Sequence, residues 1–214
     1  MRLGHLRLAA LATIITLTPD AATAQSEELM ELYAEAGSLY QQGDYQAAVP
    51  VAEKALSMGE KEFGPDDHRT AVLVNHLALL YHLQARPELA EKLYQRALAI
   101  DEKVLGPDHP DVALSASNLG ELYREQRRYQ EAEALFQRAL SALEATLGGD
   151  HPALAENLSR LANLYEDQEL YSEAEPLLKR AVELTGTALG PNHPSLLHYR
   201  GRYRQLLDKM SGTE

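Results

Sequence analysis

Three histidines recur in one short sequence context, in which each follows an aspartate or asparagine and precedes a proline. His109 and His151 lie in Asp-His-Pro triplets, and His193 lies in an Asn-His-Pro triplet. A histidine beside a carboxylate could act as a general base, and histidines gathered in space could bind a metal ion. A divergent copy of the segment, FGPDDHRTA at 63–71, contains His68. The pattern raises the question of whether these loops carry chemistry.

The spacing of the four loops argues against a shared metal site. Their first glycines, at positions 64, 106, 148 and 190, are 42 residues apart each time. Such an interval holds two helices, and neighbouring helices pack about 8–10 Å apart, whereas zinc binds its ligands at about 2 Å. Equivalent histidines are therefore too far apart to share an ion, and His76 and His82 are not spaced i, i+4. We expect no metal and no cofactor.

Helix termination and capping explain the loop residues instead. Gly106 can end a helix in a left-handed conformation, and Pro107 stiffens the turn that follows. Either Asp108 or His109 can cap the next helix, in whose first turn Pro110 is well placed. The loops therefore predict helix boundaries rather than an active site.

Nothing else in the sequence predicts catalysis. A phosphate-binding loop, a nucleophile elbow, a His-Glu-x-x-His motif and a dinucleotide fingerprint are all absent, as is any cysteine nucleophile. Acidic pairs such as Glu131 and Glu133 fall beside basic residues on helix faces, which is typical of a solvated surface. The formal net charge of -12 disfavours binding to nucleic acid or anionic membranes and favours neutral or basic partners. We expect a protein without enzymatic activity.

Within each interval the apolar residues have a helical period. In the third interval, Leu114, Leu119, Leu122 and Tyr123 form one stripe, and a second stripe runs over residues 132–143. The predicted helices cover residues 27–41, 44–61, 68–84, 87–104, 110–126, 129–146, 152–168, 171–188 and 194–209.

These elements predict four helix hairpins, followed by a terminal capping helix at 190–210. The hairpin units cover residues 27–63, 64–105, 106–147 and 148–189. Repeats of 20–50 residues are typical of solenoids. The expected fold is all-α, a right-handed superhelical solenoid of stacked antiparallel hairpins in a single domain, 25–214.

The repeat resembles the tetratricopeptide signature. It reads LGxxY at 119–123 and then AxxxFxxA at 132–139, and related patterns cover 77–97 and 161–181. In the first unit Tyr40 lies one residue out of register, which we attribute to a turn one residue shorter. The 42-residue period and the GPDHP loop are similar to those of the kinesin light chain family and its bacterial relatives. The resemblance implies a superhelix that binds protein partners.

The resemblance also implies that the first helix of each hairpin lines a concave, partner-binding face. Asparagine can bind a peptide backbone, and arginine can bind a carboxylate. The candidate contact residues are Asn75, Leu79, Asn118, Glu121, Arg124, Arg160, Asn163 and Arg202. The alternative is that they are ordinary polar surface. Because the helix at 68–84 is apolar nearly all round, we also expect some of Val72, Leu79 and Leu83 to be exposed.

The N-terminal 24 residues have the features of a secretory signal peptide. Two arginines precede a short apolar core at 8–17, and Ala-Thr-Ala at 22–24 is a small-x-small cleavage site. The core is too short to span a bilayer, which takes about 20 residues. We expect cleavage after Ala24 and a periplasmic or secreted bacterial protein without membrane insertion. The alternative is an uncleaved anchor or a helical tail.

Three classes of function remain open at this point. The leading hypothesis is a binding module that holds an unidentified peptide or protein in its concave groove. The second is a structural subunit that self-associates, as a homo-oligomer, or scaffolds a larger envelope complex. The third is an enzyme or an enzyme-associated sensor, which the missing catalytic constellation disfavours.

Overall fold

The computed structural model describes residues 24–212, with side chains from residue 27 onwards. The described chain folds into α-helices joined by short turns and loops. They are α1 (Ala24–Gln42), α2 (Tyr45–Phe63), α3 (His68–Leu83), α4 (Pro87–Leu105), α5 (Pro110–Glu125), α6 (Tyr129–Leu147), α7 (Leu154–Glu166), α8 (Tyr171–Leu189) and α9 (Pro194–Ser211). Consecutive helices pair as hairpins, which confirms the predicted all-α class. The predicted signal peptide lies outside the described residues, except for Ala24.

The helices group into two compact units. Unit 1 contains α1 to α4 and ends at Val104, and unit 2 contains α5 to α9. We describe each unit by itself, and the expected single solenoid over 25–214 stays a prediction.

Small residues at fixed repeat positions form the contacts inside each hairpin. The alanines that begin the second-helix motif are completely buried in all four hairpins: Ala48, Ala90, Ala132 and Ala174. Larger side chains fill the space beside them, and Phe136 in α6 and Leu178 in α8 are also completely buried. Because alanine lets two helices approach closely, the repeated alanine sets the spacing of every hairpin.

Each hairpin turns through one residue with a positive φ. These residues recur every 42 positions: Gly43 (78°), Ala85 (56°), Arg127 (61°) and Glu169 (60°). The next amide donates back to the first helix, from Asp44 to the Leu39 carbonyl at 3.0 Å and from Arg86 to the Tyr81 carbonyl at 3.0 Å. Leu39 therefore occupies the repeat position of Tyr81, and Tyr40 lies one residue out of register, as expected. The turn hydrogen bonds are the same in both hairpins, so a shorter turn does not explain this offset.

The loops between hairpins are formed by glycine and a capping side chain. Gly148 leaves α6 with φ 85° and ψ 154°, a conformation that is essentially restricted to glycine. The Nδ1 atom of the loop histidine then accepts a hydrogen bond from the amide two residues later. The distance is 3.2 Å in each case, from Asp111 to His109, from Ala153 to His151 and from Ser195 to His193. This confirms the predicted capping role at α5 and α9 and assigns it to His109 and His193. At α7 the bonded amide belongs to Ala153, which precedes the helix.

The divergent loop reaches the same result with different residues. Asp67 stands at the histidine position and accepts from the Arg69 amide at 2.9 Å. His68, displaced by one residue, instead lies with Nδ1 2.9 Å from Oδ1 of the buried Asp101 in α4. His68 therefore links the start of α3 to α4.

Two expectations about helices differ from the structure. α7 begins at Leu154, not 152, because the amides of Leu154 and Ala155 bond three residues back in a tight first turn. The exposed apolar residues expected on α3 are also wrong, since Leu79 is buried and Val72 and Leu83 are only partly exposed. α3 is enclosed because it packs against α2, and its His76 and His82 rings contact α1 and α4 respectively.

Candidate functional site

The first helices of unit 2 (α5, α7 and α9) are joined side by side by polar side chains. We call the surface that these helices form the α5–α7–α9 face. Ser117 on α5 hydrogen-bonds to Asn157 on α7, and both side chains are buried. Buried polar groups stabilise a fold only when they are paired, so this contact fixes how the two helices lie against each other.

Arg160 is the centre of the contact between α5 and α7. Its Nη1 atom lies 3.2 Å from Oδ1 of Asn118 and 3.3 Å from the backbone carbonyl of Ser117. Its Nη2 atom lies 3.1 Å from Oε1 of Glu156, one turn earlier on α7. The guanidinium is therefore neutralised by a carboxylate while it bridges two repeats.

A second bridge between α5 and α7 lies at the C-terminal ends of these helices. Arg124 pairs with Glu121 on its own helix at 2.7 Å and also with Asp167, which follows α7. Burial alone disfavours a charged guanidinium, but the two carboxylates outweigh it and raise the pKa of Arg124 above its ordinary value. Arg124 is thus a permanently charged link between successive repeats.

The same arrangement joins α7 to α9. Arg202 has the repeat position of Arg160, and its Nη2 atom lies 2.6 Å from Oε1 of Glu166 while Nη1 lies 3.4 Å from Oγ of Ser159. Lys209 binds the other oxygen of Glu166 at 2.7 Å. One partly buried carboxylate on α7 therefore holds two cations of α9.

Tyrosines connect these first helices to the second helices behind them. The hydroxyl of Tyr165 donates to Oε1 of Glu133 at 2.6 Å, and that of Tyr203 donates to Oε1 of Glu175 at 2.5 Å. Burial, followed by the bond to Glu133, raises the pKa of Tyr165 to about 12. The tyrosine of the predicted motif therefore acts as a neutral hydrogen-bond donor between hairpins.

The first helices of unit 1 form a different surface, because a cavity opens beside them. The cavity measures about 460 Å³ including its open mouth. Tyr33, Gly37 and Tyr40 of α1 line one wall, and His76 and Leu79 of α3 line the other. The Tyr33 hydroxyl lies 3.5 Å from Nε2 of His76, and burial raises the pKa of Tyr33 to about 12.

The predicted contact residues all lie on first helices, but many of them are engaged within the protein. Arg124, Arg160 and Arg202 bridge repeats, and Asn163 is partly exposed. The buried members of the set are Asn75, Leu79, Asn118, Glu121 and Arg160. The role of the predicted set in partner binding stays a prediction. The sequence analysis missed the bridges that its arginines form between repeats, although the recurrence of arginine at 160 and 202 could have indicated them.

Among residues 24–212, no group of three or more histidine, aspartate or glutamate side chains is placed to hold a metal ion. Within the same range, no helix combines the length and apolar character needed to cross a membrane.

Comparison with known proteins gives a consistent result. A family model described as tetratricopeptide repeat matches residues 28–103, 69–145 and 115–186. Among solved structures, a kinesin light chain-related array of nearly identical TPR-like repeats from Podosopora anserina has a TM-score of 0.72 at 24% identity, covering 86% of this chain and 87% of that one. At below 25% identity, this similarity shows the fold alone.

Two further structures have the same fold. BtubC (BKLC) from P. vanneervenii has a TM-score of 0.66 at 16% identity, covering 89% of this chain and 93% of that one. Pseudomonas aeruginosa pilF has a TM-score of 0.62 at 22% identity, covering 89% and 72%. A search of curated proteins gave no match.

Proposed function

Because the chain is a member of the tetratricopeptide repeat family, whose repeats indicate a scaffold for protein–protein interaction, we propose that it is a non-enzymatic module that binds a peptide or protein along its first helices. The observation that carries this proposal is the α5–α7–α9 face. Ion pairs and buried hydrogen bonds hold its helices at fixed distances, so the surface is rigid before a partner arrives. A pre-organised surface binds with a smaller loss of conformational entropy.

The bridging arginines limit which residues can contact a partner directly. Arg160 and Arg202 are already paired, so we assign them the positioning of the helices. Partly exposed or exposed amides on the same helices remain for contact, Asn163 on α7 and Gln205 on α9, which share one repeat position. An amide offers both a donor and an acceptor to a peptide backbone.

Affinity enrichment from the native compartment, using the protein as its host processes it, tests this proposal. The test variant carries Asn163→Ala and Gln205→Ala. The control carries Gln130→Ala and Gln137→Ala, which remove two exposed amides from the second helix α6. We expect that a specific protein is captured by the wild type and by the control, and that the test variant does not capture it. Equal capture by all three would contradict it.

Self-association is a second candidate, favoured by the outer surface of α9. Leu197 and Leu207 are among the most exposed large apolar residues of the described chain, whereas Arg200 and Arg204 on the same side of the helix argue against stacking at this end. An exposed apolar stripe of this kind is typical of interfaces. Light scattering over a range of concentrations tests it: a mass that increases with concentration, and that Leu197→Ser abolishes, supports self-association, whereas a constant monomer excludes it.

We also propose that the chain is exported and cleaved after Ala24. The support is the charged start, the apolar core and the cleavage site of the first 24 residues. Mass spectrometry of the protein recovered from its host should give an N-terminus at Gln25. Recovery of an intact N-terminus in the cytoplasmic fraction would contradict export.

A further inference from the structure

One stripe of α9 occupies repeat positions that the preceding first helices bury. This outer stripe consists of Leu197, Arg200, Arg204 and Leu207, whose spacing of three, four and three residues places them on one side of the helix. The residues 42 positions earlier, in α7, are Ala155, Leu158, Ala162 and Tyr165. Those in α5 are Ala113, Ala116, Gly120 and Tyr123. All eight are buried except the tyrosine of α7, which is partly exposed.

The second helix of the hairpin covers this stripe in α5 and in α7. Gly120 of α5 lies against Phe136 of α6, and Ala162 of α7 belongs to one buried cluster with Leu178 of α8. Within the described residues no second helix follows α9, and all four residues of its outer stripe are exposed. α9 therefore presents to solvent a side that the repeat elsewhere uses to hold a helix.

Arg204 excludes an ordinary second helix from the outer stripe. It has the repeat position of Gly120, where even a Cβ atom would lie 2.9 Å from the ring of Phe136. An arginine side chain at this position cannot fit beneath a helix that lies as close as α6 lies to α5. A helix on the outer stripe must therefore lie farther from α9, with the arginine side chains between the two.

The positive charge of the outer stripe is not matched within the described chain. α9 contains three arginines, one lysine and one aspartate, a net charge of +3 in a chain whose net charge is -12. Its cations Arg202 and Lys209 pair with Glu166 of α7. Arg200 and Arg204 are exposed and pair with no other described residue. Since arginine binds carboxylates through two parallel hydrogen bonds, an occupant that complements the stripe has to supply carboxylates.

The two ends of the outer stripe are apolar. Leu197 is 55% exposed and Leu207 is 41% exposed. They are about 15 Å apart along the helix, and the two arginines lie between them. A helix that only ends an array needs a polar outer side, which does not account for these leucines. Large apolar side chains of an occupant would remove them from water.

A second copy of this chain complements the outer stripe poorly. The α9 helix of another copy would place arginines against arginines. α1 carries Glu27 and Glu31 four residues apart, but the residues that flank them at the required spacing are alanines. Alanine is too short to reach the leucines of the stripe past the arginine side chains. Charge and size together therefore favour a separate partner protein.

We infer that the outer stripe of α9 binds an amphipathic helix of a partner protein, in which two carboxylates lie between two large apolar residues. In that helix the four residues have the same spacing of three, four and three, which reads identically in both directions and so suits a parallel or an antiparallel helix. The inference goes beyond the proposed function, because the stripe lies on a different side of α9 from Gln205 and the α5–α7–α9 face.

A charge exchange between protein and peptide tests the inference. The probe is an alanine-based helical peptide of about 20 residues that contains Leu-x2-Glu-x3-Glu-x2-Leu. The wild-type protein should bind this glutamate peptide saturably in a fluorescence anisotropy titration. Affinity should fall about tenfold or more when the protein carries Arg200→Glu and Arg204→Glu, or when lysines replace the two glutamates of the peptide. The lysine peptide should bind the glutamate variant with restored affinity, which a misfolded protein would not show.

Lys92→Glu combined with Lys179→Glu is the matched control. Both lysines are exposed on second helices, and their replacement changes the net charge of the protein by the same amount. The control should bind the glutamate peptide within about twofold of the wild type. A peptide in which serines replace the two leucines should bind the wild type about tenfold more weakly, because the leucines of the stripe stay in water.

Three other results would overturn the inference. If the wild type does not bind the glutamate peptide, or if both charge reversals leave its affinity unchanged, the stripe binds no acidic helix and the proposed function is unaffected. Loss of the peptide with Asn163→Ala and Gln205→Ala would instead place it on the α5–α7–α9 face and support the proposed function. A mass in light scattering that increases with concentration, and that Arg200→Glu with Arg204→Glu abolishes, would identify a second copy as the occupant.

Discussion

Arg160 and Asn118 hold the same position in successive repeats, and the guanidinium of one donates to the side-chain carbonyl of the other at 3.2 Å. A residue that looks like part of a binding surface thus serves first to fix the distance between α5 and α7. The proposed binding surface and the contact between repeats share one set of side chains. Substitutions on this face must therefore be interpreted with a stability measurement beside them.

Replacing Arg160 with alanine should destabilise unit 2. The change removes the hydrogen bonds that Arg160 donates to the Ser117 carbonyl and to the Asn118 side chain, and it removes the cation beside Glu156. We expect a loss of about 2–3 kcal/mol in the free energy of unfolding, because the hydrogen bonds of a buried, charged guanidinium are lost.

Urea denaturation followed by circular dichroism measures this loss. Arg200→Ala is the control, since Arg200 is exposed on α9 and bonds to no other described residue. The control should change the free energy by less than about 0.5 kcal/mol. Equal effects of the two substitutions would show that the Arg160 bridge contributes nothing.

The loop histidines should act as replaceable helix caps. His193→Ala removes the acceptor of the Ser195 amide at the start of α9 and should cost about 0.5–1 kcal/mol. His193→Asp should retain the stability, because Asp67 makes the same bond at the equivalent position of the first loop. Thermal unfolding of the three proteins measures the difference. An aspartate variant as unstable as the alanine variant would contradict the capping role.

Ala85→Gly should stabilise the protein. Ala85 has a φ of 56°, which costs an L-residue about 1 kcal/mol or more, and Gly43 already occupies the equivalent turn. Part of that gain is offset by the greater flexibility of glycine in the unfolded chain, so we expect a net gain of about 0.5 kcal/mol.

The matched control for that substitution is Ala99→Gly, which makes the same chemical change at an exposed position within α4. It should lower the free energy of unfolding by about 1 kcal/mol. Opposite signs for the two substitutions, measured by urea denaturation, are the expected result. A loss at both positions would show that the turn conformation carries no strain.

Stability should decrease in alkaline solution as tyrosines ionise. The pKa of Tyr33 is raised from 10.0 to about 12 by burial. An unfolded chain loses this proton near pH 10 while the folded chain keeps it, so the stabilisation is complete below pH 10 and is lost as the pH rises to 12. Tyr33→Phe should therefore lose stability less steeply between pH 10 and 12 in urea denaturation. Identical slopes would contradict the shift.

The sequence predicted the helices well because each carries its own boundary signals. The glycine and histidine of each long loop gave the starts of α5 and α9 to the residue, at 110 and 194, from capping chemistry alone. The start of α7 was missed because the same residues form a tight first turn there. The equivalence of Leu39 and Tyr81 was missed because identity of side chains, rather than of turn hydrogen bonds, set the alignment.

The site was less predictable, because a helical pattern shows which face a residue is on and not what it contacts. Asn118 and Arg160 were placed on the first helices from the repeat alone. Their mutual bond depends on the distance between α5 and α7, which no local pattern encodes. The cavity beside Gly37 depends on three helices at once and gave no signal in the sequence of any one of them.

Hydrogen–deuterium exchange with a bound peptide shows where a partner lies on the chain. A peptide selected on the wild-type protein from a displayed library is added at saturation, and amide exchange is compared with that of the unbound protein. We expect new protection in the first helices of the hairpins, above all in the α5–α7–α9 face. Protection confined to the second helices α2, α4, α6 and α8 would contradict it and would place the partner on the opposite side of the hairpins.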